Sequence, residues 1–211
     1  LREELQRDPA WAATPEELLR VGEAKIECVA GMISLCGEGT TEETRVRLER
    51  ALELDPGLEE AFDALYFTAR GAKDWAAAEA ACTRGLEHDL GWLPFWENRG
   101  IARMTLAGKP EASQEDRARG YTDAIADFDR ALAIEPRRVE SLLHRGGTRA
   151  NWSQWGELPF ERIDELSRAA IADFDALLAL DPARVQALVW RGNAHMGLAL
   201  GLRKAGRDPG A

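Results

Sequence analysis

Several kinds of residue are scarce in this chain, and each scarcity excludes something. Three cysteines, Cys28, Cys36 and Cys82, are spread over 211 residues. They are odd in number and never stand as Cys-x-x-Cys, so they build neither a disulfide framework nor a structural zinc site. Sparse cysteine suits a reducing interior, so a cytoplasmic location is expected. Positive charge is in deficit, with 27 Lys and Arg against 37 Asp and Glu and a net charge of −10. No basic run occurs. Phosphates and anionic lipids demand clustered cations, so neither nucleic acid nor a membrane surface is the expected partner. The best candidate stretch, Cys28 to Gly37, falls far short of the ~18 apolar residues of a membrane span. Also missing are G-x-S-x-G, a P-loop, G-x-G-x-x-G and H-E-x-x-H, and with them any catalytic, cofactor or metal signature. β-Branched residues never alternate, so strands are not expected.

What remains is a composition of 45% hydrophobic and 30% charged residues, that of a folded, helix-rich chain. Its strongest signal is internal repetition. Residues 121–150 read YTDAIADFDRALAIEPRRVESLLHRGGTRA, and residues 167–196 read SRAAIADFDALLALDPARVQALVWRGNAHM, an offset of 46. Phe128 falls on Phe174, Pro136 on Pro182, and Arg145-Gly146 on Arg191-Gly192. One further step back finds Arg99-Gly100. An acidic-Pro ending marks positions 9, 56, 136 and 182, with Leu90 in the place of Pro, so the spacings are 47, 34, 46 and 46. The small residues Gly100, Gly146, Gly192, Ala124 and Ala170 allow helices to approach closely, and Phe128 and Phe174 fill the space beside them. Asp/Glu-Pro stops a helix, because Pro disfavours helical geometry in the residue before it.

A 34-residue helix–turn–helix unit with Ala124-x-x-x-Phe128-x-x-Ala131-x-x-x-x-Pro136 and Trp96-x-x-Arg99-Gly100 resembles the tetratricopeptide repeat. Ala170, Phe174 and Pro182 repeat the first pattern, and Ala78 and Cys82 echo it. The chain departs from the family in carrying Arg before the Gly, Arg103, Arg149 and His195 where Tyr is usual, and about a dozen extra residues in three units. The resemblance implies an all-α, right-handed superhelical solenoid of antiparallel helix pairs forming one array. Its expected parts are the end of a preceding repeat at 1–9, a long repeat at 14–56, a 34-residue repeat at 57–90, long repeats at 91–136 and 137–182, and a partial repeat at 183–211. An array that starts inside a second helix and stops after a first one is expected to belong to a longer protein, or to have its ends covered by another segment.

Helices are predicted at 15–36 with 42–54, 58–70 with 75–88, 92–107 with 114–134, 138–154 with 160–180, and 184–204, after a helix end at 1–8. Thr14 with Glu17 forms a capping-box pattern, and Asp74 and Ser113 are further expected caps. In the long units Gly100 to Ala124 and Gly146 to Ala170 each span 24 residues, against 12 from Tyr66 to Ala78. Shared evenly, the insertion lengthens each helix by roughly six residues, or ~9 Å. That edge carries Trp152 and Trp155, which either close a small extra core or form an aromatic patch for a partner.

The acidic pairs Asp127/Asp129 and Asp173/Asp175 recur identically, whereas a catalytic pair would be unique. They read as solvated faces or as ion pairs with Arg145 and Arg191. His88, His144 and His195 share no spacing that gathers them, and His195 reads as a packed helix residue. The cysteines read as small buried apolar groups.

In proteins resembling this family, the first helices of successive pairs line a concave surface that holds a peptide. The positions implied here are Glu60, Asp63, Phe67 and Arg70, then Glu97, Ile101 and Met104, then Glu140, Leu143 and Asn151, and finally Gln186, Val189, Asn193 and Met196. The Lys, Arg and Asn cluster with which chaperone-binding members hold a terminal carboxylate is absent. An apolar floor with an acidic rim suits a segment carrying Lys or Arg beside hydrophobic anchors. The expected function is a non-enzymatic protein–protein interaction scaffold. Two rivals stand beside it. One is self-assembly through open repeat ends. The other is a regulatory or substrate-docking arm of a larger enzyme, since the phrase Ala124 to Leu132 looks like repeats appended to bacterial proteins such as signalling kinases.

Overall fold

A computed structural model describes residues 15–36, 40–88, 92–155 and 157–207. Every regular element among them is an α-helix, so the chain is an all-α helical-repeat protein. The helix end expected at 1–8 and the cap Thr14 lie outside the described residues. The helices group into two compact units, divided between Leu90 and Gly91.

The first unit holds α1 (Pro15–Cys36), α2 (Thr41–Leu54), α3 (Glu59–Gly71) and α4 (Trp75–His88). Local chemistry sets their ends. Thr40 Oγ1 accepts from the Glu43 amide at 3.1 Å while the Thr40 amide donates to Glu43 Oε2 at 2.9 Å, a full capping box. Asp55, held extended by the following Pro56, closes α2. Asp74 Oδ1 receives the Ala77 amide at 3.1 Å and starts α4. Leu48, Phe62, Tyr66, Cys82 and Leu86 fill the core, and Gly31 lets α1 lie against Leu48. Arg84 grips Glu49 with two bonds of 2.8 and 2.9 Å, joining α2 to α4 at a spacing of 35 residues.

The second unit holds α5 (Leu93–Ala107), α6 (Gln114–Ile134), α7 (Val139–Trp155), α8 (Phe160–Leu180) and α9 (Val185–Lys204). Ser113 Oγ caps α6 through the Asp116 amide at 3.0 Å. Glu135 and Asp181, each extended before a proline, end α6 and α8. Within a pair the helices run antiparallel: Gly100 meets Phe128 while Ala107 meets Gly120 further along. First helices run parallel, offset by one repeat. Glu97 on α5 accepts from Arg138, just before α7, and from Ser141 on α7, and Gln154 of α7 donates to the Asn193 carbonyl of α9 at 2.9 Å.

The insertion is not shared evenly. α6 and α8 have 21 residues each against 14 in α4, whereas α5 and α7 have 15 and 17 against 13 in α3. Seven extra residues extend a second helix by about 10 Å. The added length makes its own core, in which Ala107, Tyr121, Trp152 and Leu166 are buried beneath Met104, Ala118, Ile125 and Leu158. Trp152 therefore belongs to that core and not to an exposed aromatic patch. Its partner in that expectation, Trp155, has its side chain outside the described residues.

Candidate binding surface

The arginines that depart from the family pattern have a structural counterpart in the Asp-Phe-Asp phrase. Asp127 is buried and receives Arg99 at 2.7 Å and Arg103 at 2.9 Å, both from its own repeat's first helix. One repeat later Asp173 receives Arg145 and Arg149, each at 2.6 Å. The second acid of each phrase reaches forward instead. Asp129 pairs with Arg145 at 2.5 Å and Asp175 with Arg191 at 2.6 Å. The phenylalanine between them enters the core at Gly100 or Gly146. Alternate residues of one short phrase thus tie a helix to the helix before it and to the helix after it. The ion pairs expected with Arg145 and Arg191 are present, but the inner acids Asp127 and Asp173 are buried and not solvated. Burial pushes the Asp127 carboxyl above its ordinary value, and the two guanidinium groups oppose that shift. Six guanidinium–carboxylate pairs of this kind tie the four acids to neighbouring helices.

The expected groove residues divide into committed and open groups. Glu97 is buried, with Arg138 at 3.1 Å and Ser141 Oγ at 2.5 Å on its carboxylate. It links two repeats and does not form part of an acidic rim. Leu143 is likewise taken up, buried with Phe174 and Leu177. Met104 leans on the Tyr121–Trp152 core, and Ile101 and Asn151 are half-buried. On α3, Glu60, Phe67 and Arg70 are exposed, and Asp63 is half-buried with its carboxyl pushed up by burial. Phe67 is 46% exposed, and the Arg70 guanidinium lies 6.0 Å from its ring. Glu140 is exposed and faces Arg184 at 3.5 Å. Gln186, Val189, Asn193 and Met196 stand exposed on α9.

Neither the cysteines nor the histidines form a reactive centre among the described residues. Cys28 and Cys82 are buried, and burial, then Glu60, pushes the Cys28 thiol up, away from the thiolate. Cys36 has its side chain outside the described residues. His88 stacks on Phe62 and His144 on Phe128, at 5.7 and 5.9 Å between ring centroids. His195 is exposed on α9 and is not the packed residue its position suggested. No three His, Cys, Asp or Glu side chains among the described residues gather as metal ligands, and no described helix is long and apolar enough to cross a membrane.

The apolar surface left open is unevenly placed. Apart from Val46 and Ile134, the exposed large hydrophobics of the described residues all lie on first helices. Leu19, Ile26, Val29, Met32 and Ile33 are on α1, Phe67 on α3, and Val185, Leu188, Val189, Met196 and Leu200 on α9. Sequence reasoning named Phe67, Val189 and Met196 but missed α1 and the rest of α9. The signal was available in α9, whose apolar residues surround the whole helix.

The fold is that of tetratricopeptide-repeat proteins, whose helix pairs the solved structures similar to this chain share. The MamA protein matches 89% of the chain and 87% of its own length, with a TM-score of 0.62 at 12% identity. The first tetratricopeptide domain of human RPAP3 matches 70% of the chain and 98% of its own, with a TM-score of 0.55 at 16% identity. The corresponding domain of Arabidopsis OM64 matches 65% and 94%, with a TM-score of 0.51 at 21% identity. No family model and no curated protein matches the sequence.

Proposed function

We propose that the chain is a non-enzymatic protein-interaction scaffold that presents the faces of its first helices to a peptide or helix. The observation that carries this reading is the concentration of exposed apolar side chains on α1, α3 and α9. Apolar side chains left open on α1 and α3 of the first unit, and separately on α9 of the second, are surfaces that a peptide or helix can cover. Second helices contribute almost none of it. On α3 the apolar anchor Phe67 stands with Glu60 and Asp63, so a segment with Lys or Arg beside a hydrophobic residue suits that helix. The acidic character rests on these two residues, because Glu97 is neutralised by Arg138 within the fold.

The test is a peptide-display selection against the immobilised chain, with Phe67→Ala and Glu60→Lys chains as counter-selections. Both side chains are exposed, so both variants keep the fold. Enrichment of basic–apolar sequences that each variant loses supports the reading. Recovery of the same peptides by wild-type and variant chains would refute a ligand site on α3.

A further inference from the structure

α9 is apolar on two opposite faces, and only one of them is used. Ala187, Ala194, Gly197 and Gly201 are buried, while Val185, Leu188, Val189, Met196 and Leu200 stand open on the other side. A helix apolar all round has the composition of a buried one. The preceding repeat shows what normally covers that open side. Leu142, Leu143 and Ala150 of α7 are 4%, 3% and 3% exposed, in a core shared with Phe174 and Leu177 of α8 and Ala187 and Ala194 of α9. Their equivalents one repeat on, Leu188, Val189 and Met196, are 44%, 55% and 54% exposed. The glycines agree. A Cβ at Gly100 or Gly146 would stand 2.8 Å from the ring of Phe128 or Phe174, whereas a Cβ at Gly192 meets nothing within 4 Å.

The charges follow the same template. Arg145 gives Nη1 to Asp129 of the preceding helix, and Nε and Nη2 to Asp173 of its own pair. Arg191 gives Nη1 to Asp175 in the same manner, and among the described residues no carboxylate meets its Nε–Nη2 edge. His195, exposed, stands where Arg149 holds the second oxygen of Asp173.

We infer that the open face of α9 is the docking site for an amphipathic helix of a partner polypeptide. That helix places an aromatic residue over Gly192 and the acidic residue just before it against Arg191 and His195. It runs antiparallel to α9 and carries a small residue four positions before the aromatic, as Ala124 and Ala170 stand before Phe128 and Phe174. A folded second copy cannot supply it, because the phenylalanines of α6 and α8 are already buried in their own pairs. The inference rests on the scaffold reading and deepens it for one helix. Its test uses α9 variants and leaves α3 unchanged, so the two can fail separately.

The probe is a fluorescein-labelled peptide with the sequence of residues 160–180, titrated into the whole chain and followed by anisotropy. An isolated helix of this length is marginal in water, so its ordering on the chain costs affinity and micromolar binding is expected. Removal of the aromatic in a Phe174→Ala peptide weakens binding roughly tenfold or more, as loss of a central anchor does. A Gly192→Leu chain, whose new side chain has open space to enter, weakens it by a similar factor. Circular dichroism confirms that this variant stays folded. Absence of saturable binding, or equal binding by wild-type and Gly192→Leu chains, overturns the inference. A concentration-dependent dimer abolished by Gly192→Leu also overturns it, since the face would then belong to a second copy.

Discussion

Gly146 and Gly192 occupy the same position in successive repeats, and alanine should have opposite effects at the two. In a helix interior Ala is favoured over Gly by about 1 kcal/mol, from the backbone entropy that glycine loses on folding. That gain applies at both sites. At Gly146 a Cβ would lie 2.8 and 2.9 Å from two ring carbons of Phe174 and 3.1 Å from Asp173 Cβ. Unstrained carbon pairs sit at about 3.5–4.0 Å. Phe174 is fully buried against Leu177 and Ala170, so its ring cannot withdraw without moving the helix pair. Overpacking of this kind costs about 1–3 kcal/mol, and the shift also strains the Asp173 links. The net expectation for Gly146→Ala is a loss of about 1–2 kcal/mol. At Gly192 no atom lies within 4 Å, so Gly192→Ala keeps the helical gain and stabilises by about 0.5–1 kcal/mol. Urea unfolding followed by far-ultraviolet circular dichroism reads both, as midpoints shifted in opposite directions at unchanged slope. Two shifts of the same sign and size would refute the packing argument, because helix propensity alone would then account for both.

Three further outcomes are expected. Asp173→Ala leaves Arg145 and Arg149 without their buried carboxylate and costs about 3 kcal/mol, while Asp175→Ala at an exposed pair costs less than about 1 kcal/mol; the same urea midpoints check this contrast. Trp152→Ala empties the added core between α6, α7 and α8 and costs about 3–5 kcal/mol, measured by thermal denaturation of the second unit. In the first unit, burial pushes the Tyr66 phenol up to about 12. An unfolded tyrosine ionises near pH 10, so above that pH the unfolded chain releases a proton that the native chain retains. The stability is fully present below about pH 10 and is lost as pH rises towards 12, by roughly 2–3 kcal/mol. Urea midpoints across that range should fall for the wild type, and less steeply for Tyr66→Phe.

Much of the fold was legible from local pattern. The helix ends at Ser113, Asp74, Glu135 and Asp181 follow from caps and from the residue before proline, and these act within a single turn. The repeat offset located Phe128 over Gly100 and Phe174 over Gly146, since the same small and aromatic residues recur at the same spacing. Gly147, next to Gly146, likewise gives its space to a neighbour, the ring of Trp190. The candidate surface was legible only where exposure follows from helical position, as at Phe67, Val189 and Met196. Glu97 and Asp173 look like surface acids in sequence, yet each is buried by arginines more than twenty residues away. Leu143 and Val189 are repeat equivalents with similar side chains, and one is core while the other is surface. The even division of the insertion failed for the same reason, because the length of α6 and α8 is set by the core around Trp152 that they build together. What acts over one turn of helix or one repeat period was determined by the sequence alone. Which polar groups are buried, and which apolar face is left open, was decided only by tertiary structure, because burial depends on the neighbour and not on the residue.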